Sequence, residues 1–453
     1  NLREEEMFEV PEWAANKVVY QIFPSRFAAT EPVDKELWYK APITPMDDLH
    51  GNLRGIIEHM DDIQNLGIDV LYMTPIFQSN SCHKYDTTDY YQIDPSFGTT
   101  EDLKELVQKA HERGMKVVLD AVYNHTGREF FAFADILENG EKSKYRDWYF
   151  IDGFPLKSEW GEIPNFKCFG YYGGMPKLNL KNPEVEKYIT DVACYWIKEC
   201  DIDGWRLDVG DEISHFFWKN FRKAVKAVKK DMLIIGEIWH YAGDFLEGDE
   251  WDTVMNYPFY LNLIDLLADE KITVSQFVQN LGYLKGRLNK NCYPLMWNLI
   301  DSHDTARFLH LCNDNKKKQH LAAAFQLLLP GMPMIYYGDE YAMPGANDPD
   351  CRRGMYWDEE YQDKEMYEWY KRLIQVRKSH ACIVEGELAG IVTEDEEGTI
   401  VLIRKNGEET IAMIFNCSSS AKKFNEYTQK YNLLTENTFD GNVEGFDAAV
   451  IVL

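Results

Sequence analysis

Three acidic side chains follow apolar, strand-like runs: Asp208 in "DGWRLDV", Glu237 in "IIGEIWH" and Asp304 in "IDSHDTARF". Retaining glycoside cleavage uses such a set. It needs a carboxylate nucleophile and a carboxyl acid about 5–5.5 Å apart, and neighbouring strands lie about 4.8 Å apart. Arg206 stands two residues before Asp208, on the same strand face, and its fixed charge is expected to keep Asp208 ionised. Glu237 is flanked by Ile235, Ile238 and Trp239, an apolar setting expected to hold a proton for a leaving group. Asp304 could stabilise an oxocarbenium-like charge, His125 and His303 could hold sugar hydroxyls, and Tyr85 could stack under a ring. Taken singly, each has a plainer reading as an ion-paired, capping or hydrogen-bonded structural group. So do Asp120, Asn124, Asp339 and Glu340, which also follow apolar runs. Their convergence on one site is what argues for chemistry, because buried charges must be paired.

Eight apolar runs would have to position them: Lys17–Phe23, Asp69–Phe77, Met115–Val122, Asp203–Val209, Met232–Ile238, Asp252–Tyr257, Pro294–Ile300 and Met332–Gly338. Unbroken apolar character suits strands buried on both faces. Between them, helical spacing runs through Ile56, Met60 and Ile63 and through Leu103, Leu106, Val107 and Ala110. Thr99 with Asp102 reads as an N-terminal cap. Further helices are expected over Pro183–Cys200, Ile213–Lys229, Thr273–Leu288, Lys316–Leu329 and Lys364–Ser379, and none after the fifth strand. The alternation predicts a (β/α)₈ barrel, whose site lies at the carboxyl ends of the strands. An open doubly wound sheet is the alternative, but no Gly-rich fingerprint follows the first strand. Residues 1–382 are read as the barrel, residues 126–176 as a domain inserted after the third strand, and residues 383–453 as a small antiparallel β-sandwich.

A net charge of −27 argues against nucleic acid and anionic membranes. Aromatics make up 14% of the chain, which suits a cleft for a neutral sugar polymer. Nine scattered cysteines without a CxxC pair give no zinc site and suggest a reduced compartment. With no apolar leader in "NLREEEMFEVPEW", a cytoplasmic location is expected, and a monomer is the simpler assembly. No metal motif occurs. Asn124 is the only candidate ligand for a Ca²⁺ ion, and no cofactor is expected.

At these residues the sequence resembles glycoside hydrolase family 13, the α-amylase family. "DAVYNH", "GWRLDV", "GEIWH" and "DSHD" are similar to its four main motifs in order, and "MPKLN", "GIDVLYMTP" and "GMPMIYYGDE" to accessory ones. The resemblance implies Asp208 as nucleophile, Glu237 as acid/base and Asp304 as transition-state stabiliser. It makes Arg206, counted with the substrate-binding residues, the charge partner of Asp208, and places His83, Tyr85, His125 and His303 against the sugar on the non-reducing side, with Asp348 and Arg352 further out. Trp239 and His240 of "EIWH" are counted as substrate contacts. Within the family, "HKYDTTDYYQIDPSFG" and "NDPDCRRGMYWDEE" resemble the cyclomaltodextrinase, neopullulanase and maltogenic amylase group. That group usually carries an extra N-terminal β domain, whereas "PEWAANKVVYQIFPSRF" already lies near the start here. Gly210-Asp211-Glu212 stands where the group commonly has Ala-Asn-Glu, next to the acceptor sugar. The implied activity is retaining hydrolysis of α-1,4 bonds in maltooligosaccharides, cyclodextrins, pullulan or starch. Transglycosylation is the alternative within the fold, and a non-catalytic glycan-binding protein the alternative outside enzymology.

Overall fold

The computed structural model describes residues 9–159 and 161–453. Eight short parallel strands form its centre: β1 (Val19–Ile22), β2 (Val70–Met73), β3 (Lys116–Ala121), β4 (Gly204–Leu207), β5 (Leu233–Gly236), β6 (Thr253–Val254), β7 (Trp297–Asn298) and β8 (Met332–Tyr336). They pair in the order β6-β5-β4-β3-β2-β1-β8-β7. A parallel bridge from Met255 to Trp297 joins the two ends, with the Asn256 N–H donating to Trp297 O at 2.8 Å. The sheet is therefore closed into a barrel.

Two strands are much shorter than the apolar runs suggested. β6 ends because the Asn256 side chain caps a new helix, Tyr257–Leu263, with proline in its first turn. β7 starts late because Pro294 lies in a 3₁₀ turn, Tyr293–Leu295. The second run also splits: Phe77–Ser79 leaves the barrel and pairs antiparallel with Thr87–Ile93.

Strand alternation sorts the side chains. Val70, Tyr72, Val118, Leu233, Ile235, Trp297, Met332 and Met334 fill the barrel interior, while Leu71, Met73, Val117, Leu119 and Ile234 pack outward. Gly204 and Arg206 share parity, so Arg206 points into the upper barrel. A Cβ on Gly204 would lie 2.8 Å from Leu233 O, which accounts for the glycine one layer below.

The helices follow the expected spans closely, with Pro183–Cys200 and Lys364–Ser379 as observed helices. Thr99 and Asp102 form a reciprocal capping box. One helix is interrupted: His59 departs from helical backbone values, dividing Leu53–Glu58 from Met60–Leu66. After β5 only a single turn forms, Gly243–Phe245. Among its described residues, segment 126–176 holds one α-helix, Phe131–Asn139, three 3₁₀ turns, Gly140–Lys142, Arg146–Trp148 and Phe169–Tyr171, and isolated bridges such as Ile151–Phe166 and Cys168–Pro176.

The chain ends in a six-stranded sheet whose long antiparallel members are β9 (Glu387–Glu394), β10 (Thr399–Asn406), β11 (Glu409–Asn416) and β12 (Asp447–Val452). One face, with Val401, Ile414 and Ile451, closes a small core with Phe424 and Phe439. The other packs on the barrel, where Phe415 stacks on Phe325 with centroids 4.3 Å apart. No helix among the described residues is long and apolar enough to cross a membrane.

Candidate active site

Arg206 organises the upper end of the barrel. Its side chain is fully buried. Nη1 donates to Asp120 Oδ1 at 3.1 Å and to Asp208 Oδ1 at 3.0 Å. Nη2 lies 3.0 Å from Glu237 Oε2 as an ion-pair contact. One guanidinium therefore spans three carboxyl groups, carried by the adjacent strands β3, β4 and β5. Asp208 and Glu237 are both largely buried, at 6% and 7% exposure.

One cation among three acids cannot neutralise them all. Burial, and then the Glu237 charge, push the Asp208 carboxyl well above the usual range; Arg206 pulls it down without prevailing. The pull of Arg206 expected from the sequence is present, and burial outweighs it. Burial also raises Asp120, to about 6, against the pull of Arg206 and two tyrosine hydrogen bonds.

Glu237 does not sit in the apolar setting that its sequence neighbours suggested. Its Oε2 accepts the Val209 N–H at 2.9 Å, and its Oε1 accepts the Trp239 indole N–H at 3.1 Å. Ile238 packs outward, and Ile235, on the same strand face as Glu237, fills the barrel interior one layer below, while the carboxyl itself meets donors. Val209 delivers its N–H from the left-handed region, at φ 47° and ψ 43°. A β-branched residue is strained there, and the strain holds the turn that follows Asp208.

A chain of polar contacts crosses from β1 to Asp120. The Gln21 amide meets His303 Nδ1 at 2.7 Å, and His303 Nε2 lies 2.7 Å from the Tyr85 hydroxyl. Tyr85 and Tyr72 both donate to Asp120 Oδ2, at 2.9 and 2.6 Å. Burial holds His303 well below its ordinary pKa, and Arg352 and Arg206 lower it further, so the ring is neutral. Asp304 faces the open cleft, 3.2 Å from His303 Nε2. Arg352 donates from Nε to His303 O at 2.9 Å, reaches Asp304 at 3.5 Å and pairs with Asp348 at 2.9 Å.

His83 stacks beside Tyr85 and accepts the Tyr85 N–H at Nδ1, 3.0 Å away, which leaves Nε2 for a ligand. His125 differs. Both of its nitrogens are engaged, Nδ1 with the Asn124 amide at 3.2 Å and Nε2 with Tyr85 O at 3.0 Å. Burial lowers its pKa to about 3. In this structure His125 braces the Tyr85 loop rather than presenting a nitrogen to a sugar. Trp239 is 42% exposed and stacks on Tyr257 at 3.9 Å. His240 is exposed, 3.4 Å from Asp211. Asp339 and Glu340 lie outside the cleft; they are buried against Arg307 and Tyr20 respectively.

Tyr72, Gln21, Phe169 and Lys177 were missed. Tyr72 had a signal, since it shares strand parity with Val70 inside the barrel. Gln21 and the stacking of Phe169 on His125 depend on tertiary pairing that no local pattern carries.

The sequence profile of the alpha amylase catalytic domain matches residues 21–386. The chain belongs to the α-amylase family. It is 46% identical over 420 residues to a cyclomaltodextrinase of Geobacillus thermopakistaniensis, covering 92% of this chain and 71% of that protein. Its fold superimposes on a solved cyclomaltodextrinase with a TM-score of 0.93 and 39% identity, covering 98% of this chain and 79% of the other. A cyclic α-maltosyl-(1→6)-maltose hydrolase from Arthrobacter globiformis gives 0.89 at 35% identity, covering 98% of this chain and 100% of that one. The protein is therefore an α-amylase-family glycoside hydrolase.

Two local features of this family member follow from its own packing. A Cβ on Gly210 would lie 2.8 Å from the buried Trp251 ring, which explains glycine at that position after Asp208. The calcium expectation at Asn124 meets a competing cation. The Asn124 Oδ1 accepts from the Lys177 ammonium, which also donates to Glu212 O at 2.9 Å. Among the described residues no three His, Cys, Asp or Glu side chains form a metal-binding group. This donor set suits an ammonium and does not fit a divalent metal.

Proposed function

We propose that the protein is a retaining α-glucan hydrolase that cleaves α-1,4 bonds in cyclodextrins and maltooligosaccharides, and more slowly in pullulan or starch. The observation that carries this reading is the single guanidinium shared by Asp208 and Glu237 on adjacent strands. Asp208 attacks the anomeric carbon while Glu237 protonates the departing oxygen, giving a covalent glycosyl ester. Glu237, now ionised, takes a proton from water, which attacks the same carbon and releases Asp208. Asp304 faces the positive charge that develops on the ring. His83, Tyr85, His303, Arg352 and Asp348 hold the non-reducing-side sugars. Trp239 and His240 meet the acceptor side.

A second reading is favoured by the Arthrobacter relative, whose whole length is matched: the cleft also opens rings that contain α-1,6 bonds. Initial rates on β-cyclodextrin, pullulan, soluble starch and cyclic α-maltosyl-(1→6)-maltose, with products resolved by chromatography, test both readings. Rapid opening of β-cyclodextrin is expected. Starch cleavage without ring opening would overturn the cyclodextrin preference.

Catalysis is independent of bound metal in this reading, because Lys177 supplies the positive charge beside Asn124. Excess EDTA should leave the rate within about twofold, since this reading routes no step through a ligated ion. Loss of activity restored by Ca²⁺ would contradict it.

A further inference from the structure

A cavity of about 490 Å³ lies outside the catalytic cleft, between the Phe77–Ser79/Thr87–Ile93 hairpin, the start of helix Phe131–Asn139 and helix Pro183–Cys200. Its volume is in the range of small-ligand sites. Three aromatic rings form its wall. Tyr188 meets Tyr91 edge-on at 5.8 Å and 90°, and meets Phe131 at 5.6 Å and 65°. Phe131 is 42% exposed although it is a large apolar side chain.

The polar lining has unused capacity. One Asp89 oxygen accepts the Tyr91 N–H at 2.8 Å, and among the described residues the other has no partner. The Gln78 side-chain amide has none either; only its backbone carbonyl is engaged, by the Thr88 hydroxyl at 3.1 Å. Asn80 and Glu129 pair with each other at the rim. No lysine or arginine lines the cavity, so nothing there would attract a phosphate or another anion. Flat rings flanked by an amide, a carboxylate and a hydroxyl suit the apolar face and paired hydroxyls of a neutral sugar.

The groove is separate from the catalytic site but built on the same hairpin. Ser79 faces the other way from Gln78, is buried, and donates to Asp86 Oδ1 at 2.5 Å. The turn between the two hairpin strands carries His83 and Tyr85. A chain bound to the outer face would therefore be held close to the loop that grips sugar in the cleft.

We propose that this groove is a second binding site for neutral α-glucan chains, engaging polymers that also reach the cleft. The inference rests on the α-glucan reading of the active site. Calorimetric titration of the Asp208→Asn protein with maltoheptaose should give two sites per chain, and adding Tyr91→Ala or Gln78→Ala should leave one. In the active enzyme, Tyr91→Ala should keep kcat/KM on maltotriose within twofold but lower it on soluble starch about fivefold, the scale of a lost second attachment point. A single site that neither substitution alters would overturn the proposal and leave the catalytic reading intact. Equal losses on maltotriose and starch would also overturn it. Absence of any maltoheptaose binding would overturn both.

Discussion

Strand β4 has an aspartate at each end, and the two are treated in opposite ways. Asp203, at the lower end, is buried and amply paired. His111 Nε2 lies 2.7 Å from it, Lys229 Nζ 3.0 Å, and the Val117 N–H donates at 2.9 Å. Burial pushes its carboxyl up, but these partners outweigh burial and leave it lowered. Asp252, below β6, is served alike by Arg222 at 2.7 Å, Lys226 at 2.9 Å and the Ile234 N–H at 2.9 Å. At the upper end Asp208 shares one arginine with Asp120 and Glu237 and is pushed up. The lower end spends its cations on holding the barrel closed. The upper end is left short of positive charge, a setting in which carboxyl groups are pushed up.

The largest effect expected from breaking this contrast is catalytic. Asp208→Asn should lower kcat by at least about 10⁴-fold, the scale of losing a nucleophile, whereas Asp203→Asn should leave kcat per folded molecule within twofold. Steady-state rates on β-cyclodextrin, normalised by active-fold content, decide this. Next, Glu237→Gln should slow maltooligosaccharides about 10³-fold but activated aryl glycosides far less, because only poor leaving groups need its proton. Equal losses would remove Glu237 as the acid.

Stability should show the reverse order. Asp203→Asn removes the buried acceptor shared by Lys229, His111 and the Val117 N–H, while Lys229 keeps Asp201 at 2.7 Å, and should cost about 1–3 kcal/mol near neutral pH, read from urea unfolding. Its native carboxyl is lowered, so that contribution is present above the unfolded pKa of about 3.9 and fades as pH falls through the native value. Asp208 is raised, so its burial penalty grows as pH climbs above about 3.9. Asp208→Asn should therefore raise the melting temperature by about 1–3 °C at pH 8 and less at pH 4.

The smallest effect is on the pH profile. Asp120 is raised to about 6, and Asp208 is raised too. Both must ionise for Arg206 to stay anchored and for attack to occur, so kcat/KM should fall as pH drops through about 6. An acid limb near 4 would contradict the shared-cation account.

Much of this was legible in the sequence because apolar strands ending in acids recur at the period of a barrel. Strand parity placed Arg206 and Asp208 together. What escaped was tertiary. The apolar neighbours of Glu237 pointed to an apolar pocket, yet its carboxyl meets the Val209 N–H and the Trp239 indole. Asn124 stood as the only candidate metal ligand because the residue that meets its oxygen, Lys177, lies 53 positions away. His125 read as a sugar contact because nothing local shows that Tyr85 O takes its second nitrogen. The helix Tyr257–Leu263 begins at the last residue of the run Asp252–Tyr257, so its apolar residues follow a strand with no break in local pattern.

The most direct test of the central claim is to trap the intermediate. Glu237→Gln enzyme would be incubated with an α-maltosyl fluoride carrying a 5-fluoro substituent, digested, and mapped by mass spectrometry. The account predicts a maltosyl ester on the peptide containing Asp208, at that residue. An unmodified Asp208, an ester on another side chain, or release of the inverted anomer by the unmodified enzyme would contradict it.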